Sequence, residues 1–335
     1  LSSLWKSPML NPYEYDDDGN LLKIIDEVDE LGTSNPTAIV SLSDARSKSY
    51  QFMTTVNFDG DITENLKFSS LIGLNSSNTK EFLFIPDRGF DLLYNDEVKN
   101  LSKGQNNALF TVYNDNRILY KNTFKQVHSL YGAIGLRWQR NAFDKDYGIA
   151  RNTLSDYFTN LNRGENLYNL IGGTSRAWNW GALYSNISYS YADKYLLSAT
   201  LSGDVSSRVG KNAINTVKVG DMPVGIFYSI AGAWRISNEK FLSNINWIEE
   251  LKLRASYGIT GNDDVGELNS FSHYLVGQYR NISVLTPGSL ANDELTFQTK
   301  TQFNVGLDFS ALANRFNFTV NYFDNKSENV VILEL

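Results

Sequence analysis

From Tyr50 onward, apolar and polar residues alternate with a period of two. Tyr50, Phe52, Val56 and Phe58 share one face of an extended stretch, with Asn57 and Asp59 on the other. After the polar break "DGDITEN", Leu66, Phe68, Ser70, Ile72 and Leu74 again share a face. Side chains alternate across a strand, so this rhythm predicts strands with one apolar and one polar face. It places them near residues 50–58, 66–75, 109–124, 128–138, 178–190, 195–205, 226–236, 251–260, 297–309 and 315–323, with "NDN" interrupting the third. Leu251, Leu253, Ala255, Tyr257 and Ile259, set against Lys252, Arg254, Ser256 and Gly258, give one of the cleanest patterns. Residues 1–49 carry no clear alternating strand. "NPYEYDDDGN" is turn chemistry, and Leu21–Gly32 predicts a short amphipathic helix or an irregular connector.

The predicted strands run to roughly 9–13 residues, close to the length a tilted strand needs to cross a bilayer and longer than the usual strand of a soluble sheet. The connections sort by length. "DGDITEN", "KQV", "ADK" and "SALAN" are short; Asn75–Ala108, Gln139–Ala177, Ser206–Gly225 and Thr260–Thr296 are long, and the two kinds alternate. Ser237–Glu250 belongs to the first set but is longer, with room for a small helix in "NEKFLSNINWIEE". Outer-membrane barrels sort their loops this way, with short periplasmic turns and long extracellular loops. On that pattern Val56, Phe58, Phe68 and Ile72 face lipid. Asn57, Lys67, Lys252, Arg254, Lys300, Gln302, Asn304 and Asp308 face a lumen. A soluble β-sandwich also alternates, so alternation alone leaves both folds open.

Composition leans the same way. Aromatic residues make up 13% of the 335 positions, as expected of a barrel with aromatic girdles. No apolar run is long enough for a transmembrane helix. A net charge of −7 with scattered Lys and Arg argues against nucleic acid as a partner. The absence of Cys removes disulfides, thiolate metal sites and Cys nucleophiles. The chain opens on "LSSLWKSPML", without an initiating Met or a signal peptide, which reads as a mature protein or an internal fragment.

No catalytic constellation stands out, and no catalytic, cofactor-binding or metal residue is assigned. His128 and His273 lie in different segments, the first opening a strand and the second in a long loop, with no metal-ligand spacing. "GDVSSRVGKN" lacks the glycine spacing and the Ser or Thr of a phosphate loop. "EYDDDGN" places Glu14, Asp16, Asp18 and Gly19 at the first, third, fifth and sixth positions of a Ca²⁺ loop, but Ile25 stands where the bidentate Glu belongs. A turn is the better reading. Tyr147, Tyr157, Phe158, Tyr168, Trp178 and Trp180 are aromatic groups able to stack on sugars or peptides. At the mouth of a strand, Trp178 and Trp180 read first as membrane-interface aromatics.

Several segments resemble the SusC/RagA family of TonB-dependent outer-membrane transporters, typical of Bacteroidetes. "YADKYLLSATLSGDVSSRVGKN" (residues 191–212) is similar to that family's D-[KR]-Y-L-L turn and strand followed by a D-G-S-S-R-F-G-like loop, with Val205 for Gly and Val209 for Phe. "SIAGAWRISNEKFL" resembles S-x-A-W-R-I-S-x-E-x-F, and "LKLRASYGITGNDDVG" resembles L-K-L-R-x-S-Y-G-x-T-G-N. "LTFQTKTQFNVGLDFSALANRF" resembles L-x-W-E-x-x-x-Q-x-N-x-G-L-D-F…N-R, with Phe297 for Trp, and "SPMLNPYEYDDDGN" the family's early turn. The matches lie in order and span most of the chain, most strongly its last 150 residues.

The resemblance implies an all-β chain that is part of a large antiparallel transmembrane β-barrel in the Gram-negative outer membrane. The family barrel has 22 strands, so this chain supplies about half, without the plug domain or TonB box. It implies residues 50–335 as barrel wall and 1–49 as a connector. The implied activity is non-enzymatic, TonB-energised import of oligosaccharides or peptides. The implied partners are a SusD-like lipoprotein lid, TonB and the bilayer; which residues bind substrate stays unknown. Two other readings stay open. One is a passive pore or small structural barrel, which needs residues 295–335 to pair with 50–58. The other is a soluble β-sandwich glycan-binding or adhesin module, which needs Leu251, Leu253, Tyr257, Val305 and Leu307 buried in protein.

Overall fold

The computed structural model describes residues 11–25, 35–91, 98–165, 169–266, 269–280 and 282–331. Its strands are β1 (Tyr13–Tyr15), β2 (Leu21–Ile24), β3 (Asp44–Thr63), β4 (Leu66–Ile85), β5 (Leu101–Phe124), β6 (His128–Arg151), β7 (Leu170–Tyr191), β8 (Tyr195–Ser206), β9 (Val217–Val219), β10 (Met222–Arg235), β11 (Ile248–Asn262), β12 (His273–Tyr279), β13 (Ile282–Ser289), β14 (Gln298–Ala311) and β15 (Phe316–Glu328). One antiparallel sheet runs in the order β15-β14-β11-β10-β8-β7-β6-β5-β4-β3, with β9 added against β10. β3 and β15 are its two edges and do not pair, so the ten strands do not close into a small barrel.

The apolar phase of each strand meets its neighbour in register. Leu253 lies opposite Trp234 on one side and Leu307 on the other; Tyr257 lies opposite Ile230 and Phe303. Leu307 continues to Val320, and Val305 to Tyr322. Among the described residues no second layer covers this face. Leu183, Ile187, Leu197, Leu201, Ile230 and Phe318 are each at least half exposed, and none of Leu251, Leu253, Tyr257, Val305 and Leu307 is buried. A fully buried Leu or Ile contributes ~1.5–3 kcal/mol, so a dozen left half bare forfeit on the order of 10 kcal/mol in water, comparable to the whole stability of an ordinary domain. A sandwich core is therefore not what these residues build; they form an outward apolar band. No helix among the described residues is long and apolar enough to cross a membrane.

Several elements differ from the sequence pattern. β3 to β7 extend well past the alternating stretches, converting much of Asn75–Ala108 and Gln139–Ala177 into paired strand. These extensions ("NSSNTKE", "KGQNNA") are polar on both faces, so backbone pairing forms them without any hydrophobic rhythm. "DGDITEN" is mostly strand, and the turn is only Glu64 and Asn65, held by the Thr63 hydroxyl accepting from Asn65 N at 3.3 Å and Leu66 N at 3.1 Å. "NDN" does not interrupt β5. Asn114 and Asn116 lie on the outward face and satisfy each other. Ser70 Oγ donates to Asn116 Oδ1 at 2.7 Å, and Asn114 Nδ2 donates to the Leu71 carbonyl at 3.0 Å. The expected helix near Ser237–Glu250 shrinks to the 3-10 turn Ile236–Asn238, and the long Thr260–Thr296 stretch holds the β12-β13 hairpin, which His273 opens.

Before β3, Leu21–Ile24 is a strand paired with Tyr13–Tyr15, and residues 26–34 of the expected helix or connector lie outside the described residues. The turn between them uses Asp16 as acceptor for Asp18 N at 3.1 Å and Asn20 N at 2.7 Å, with Gly19 at φ +82°. The hydrogen bonds from Asn20, its side chain first, hold the Asp16 carboxyl below its ordinary pKa. Fully buried Asn35 caps the helix Pro36–Leu42 and donates to the Pro12 and Ile25 carbonyls, tying that helix to the hairpin.

The chain divides into two compact units. One comprises Leu1–Met53, Asn75–Phe110 and Ala142–Arg176; the other comprises Thr54–Leu74, Thr111–Asn141 and Ala177–Leu335. β3 to β7 contribute a segment to each. The second unit holds the apolar band and the groups considered next.

Candidate functional site

The face opposite the apolar band is polar, and cross-strand register gathers its charges into groups. In the middle of β5, β6 and β7, Asp115 accepts from Arg137 Nη2 at 3.1 Å and from the Tyr184 hydroxyl at 2.7 Å. The Arg137 guanidinium lies 4.7 Å from the centre of the Tyr184 ring. Gly135 makes this possible, since a Cβ there would meet the Tyr184 ring at 2.5 Å. Near the short-turn end, Asp308 accepts from Lys252 Nζ and from Arg254 Nε, both at 3.1 Å. Arg235 and Lys252 share Glu250, at 3.7 and 3.3 Å. The Arg254 side chain also reaches Asn321 and lies over Gly306, where a Cβ would meet it at 2.6 Å. The sequence-predicted lumen residues Lys252, Arg254 and Asp308 are thus one ion cluster. Asn57 and Lys67 meet at Asp59, 2.8 and 3.5 Å away, while Gln302 bonds Asn325 and Asn304 bonds Ser256. Lys300 sits opposite Thr260.

A third group lies where β7, β8 and β11 reach the long loops. Gln139, Asn141, Trp178, Trp180, Arg208, Asp263 and Asp264 line a pocket of about 310 Å³. The Arg208 guanidinium sits 4.4 Å above the Trp178 ring, with Asp264 at 3.5 Å and Asp263 at 4.0 Å. Asp263 is fixed by the Ser206 hydroxyl at 2.7 Å. Asn141 is buried and accepts from Thr111 and Gln139, each at 2.9 Å. This corrects the membrane-interface reading of Trp178 and Trp180. Both are in phase with Ala182 and Tyr184 and opposite in phase to Leu183 and Ile187, so they face inward. The parity was present in the sequence.

The other candidates do not gather. His128 is a girdle residue, stacked on Tyr189 with its ring nitrogen 2.7 Å from that hydroxyl and tilted against Tyr191, and His273 belongs to a separate hairpin. Tyr147 lies over Gly172, Phe158 lies near Arg163, Tyr157 is fully open, and Tyr168 lies outside the described residues. "GDVSSRVGKN" is no phosphate loop: it ends β8, buries Arg208 and Val209, and runs Gly210 against the Asp293 carbonyl.

The family described as TonB dependent receptor-like, beta-barrel matches residues 5–334. The chain belongs to this family. TonB-dependent receptor P39 of Formosa agariphila is 30% identical over 273 residues, which are 81% of this chain and 25% of that protein. TonB-dependent receptor SusC of Bacteroides thetaiotaomicron is 29% identical over 158 residues, 44% of this chain and 15% of that protein. Among solved structures, the RagAB peptide importer in its closed-closed state superposes with a TM-score of 0.73 at 22% identity, over 88% of this chain and 32% of that chain; the likeness is one of fold. The chain therefore spans a quarter of P39 and about a third of the RagAB chain. It is a SusC-like segment of a receptor barrel of the Gram-negative outer membrane, and the family comprises receptors and transporters, not enzymes.

The family motifs turn out to be fastenings. At the short-turn end, Glu239 accepts from the Tyr195 hydroxyl at 2.7 Å, Lys194 Nζ at 3.0 Å and the Trp234 indole at 3.1 Å, which joins "ADKY" to "AWRISNE". Those hydrogen bonds, Tyr195 first, pull its pKa down from 4.5 to about 2. The same contacts draw the polar tips of a girdle toward water. Tyr191, Tyr195 and Trp234 stack in sequence along its rings, at 6.3 and 6.5 Å. At the long-loop end, Val209, Ala213, Phe227 and Phe297 form a small buried core. Phe227 and Phe297 meet edge-to-face at 5.4 Å, so Phe297 fills a ring position where the family pattern carries Trp.

Proposed function

We propose that the intact receptor imports oligosaccharides or peptides through its lumen, with TonB supplying the energy and a SusD-like lipoprotein closing the outer end. The wall begins at β3, and the residues before it, with their hairpin, form a connector. The observation that carries this reading is the two-sided wall. A bare apolar band on one face backs a polar face on which Asp115 pairs with Arg137 and Asp308 with Lys252 and Arg254, and whose outer end holds an aromatic pocket. The paired charges suit a wetted passage, because uncompensated charge there would trap an ionic cargo.

Uptake of labelled oligosaccharides and peptides by cells producing the intact receptor tests the proposal. Uptake that stops on deletion of TonB, and falls on deletion of the lipoprotein, is expected. Entry that is indifferent to TonB would overturn it in favour of a passive pore.

A further inference from the structure

We infer that the pocket formed by Trp178, Trp180, Asp263 and Asp264 is a subsite for a neutral sugar unit. The inference rests on the importer reading above and narrows its cargo. Two indoles two residues apart on one strand face point inward, from backbone positions about 6.6 Å apart by strand rise. Beside them stand two carboxylates and the amide side chains of Gln139 and Asn141. An indole face accepts the C–H face of a pyranose, and carboxylates and amides take its hydroxyl donors.

Charge decides against an anionic cargo. Arg208 is the pocket's cation, and its side chain is 9% exposed, held over Trp178 and between Asp263 and Asp264. One cation against two carboxylates leaves a net charge of about −1, and the Asp264 side chain is 75% exposed. Sulfated or uronic sugars would meet that carboxylate first. A peptide held by its backbone needs an open strand edge or free backbone donors. β7 offers neither, because β6 and β8 flank it in the sheet. At about 310 Å³ the pocket is at the small end of ligand sites, suited to one sugar ring of a longer chain.

The test is binding to the purified intact receptor, followed by calorimetry and tryptophan fluorescence. The probes are neutral α- and β-linked oligosaccharides of glucose, xylose and mannose, a sulfated galactan oligosaccharide, and a peptide mixture. The variants are Trp180→Ala and Asp264→Asn; the second changes an exposed group and leaves the wall intact. Neutral saccharide binding that weakens ~10-fold in each variant is expected. Neutral saccharide binding unchanged in both variants overturns the subsite. So does preferential binding of the sulfated probe or of peptides. In those cases the importer reading survives. Failure of every probe to bind or enter cells removes the importer reading as well.

Discussion

Glu239 shows how a single side chain fastens two distant motifs. Three donors converge on it from the ends of β8 and β10 and from the turn between β7 and β8. Its carboxyl is depressed to about 2, so the clasp is at full strength above the ordinary value of 4.5 and is lost as the pH falls through about 2. The melting temperature of the intact receptor should decline across that window. In Glu239→Gln the decline should be smaller and the starting value lower; an unchanged pH profile in that variant would contradict the clasp. This partnership is invisible in the sequence, where Glu239 stands 44 residues from Tyr195. The same holds for Asp115, which reads as part of a polar break until register sets it beside Arg137 and Tyr184. Trp178 and Trp180 are the reverse case, legible from parity alone.

At the scale of elements, the bilayer-crossing half of each strand is written in its alternation and the rest is not. The extended ends of β4 to β7 carry polar residues on both phases over much of their length, so no alternation marks them. The tight turns are equally silent. Lys125 and Gln126, and Ala192 and Asp193, occupy the left-handed region at φ 49–60° with no Gly or Asn to announce it. Such turns suit the twist of a hairpin but cost L-residues energy. Arg235 and Asn238 hold the Ala192–Asp193 turn through the Asp193 carboxylate and carbonyl. The loop after β8 depends on a glycine in a way the sequence does not reveal. Gly210 N donates to the Leu295 carbonyl at 2.8 Å, and a Cβ at this position would meet the Asp293 carbonyl oxygen at 2.3 Å. That neighbour is backbone and cannot swing aside. Gly210→Ala should therefore destabilise the loop by ~1–3 kcal/mol. Limited proteolysis of whole cells would show it as faster cleavage between β8 and β10; wild-type resistance would refute the close approach.

For the whole molecule, the sheet's two unpaired edges and its uncovered apolar band carry the same message. Backbone groups left open in hydrocarbon cost several kcal/mol each, so β3 and β15 require neighbours that complete the wall. The family resemblance made the large barrel legible from sequence; strand counting alone left a small closed barrel open, and only the sheet order separates the two. The central claim is that one face of this sheet meets lipid and the other a wetted lumen. Single cysteines introduced along β8, which has none of its own, can be spin-labelled in the intact receptor in membranes once any cysteines elsewhere are replaced. At Leu197, Ala199 and Leu201 the labels should collide mainly with dissolved oxygen. At Leu196, Ser198 and Thr200 they should collide mainly with a water-soluble nickel chelate, giving a period of two. Nickel access at all six positions, or the opposite phase, would contradict the account.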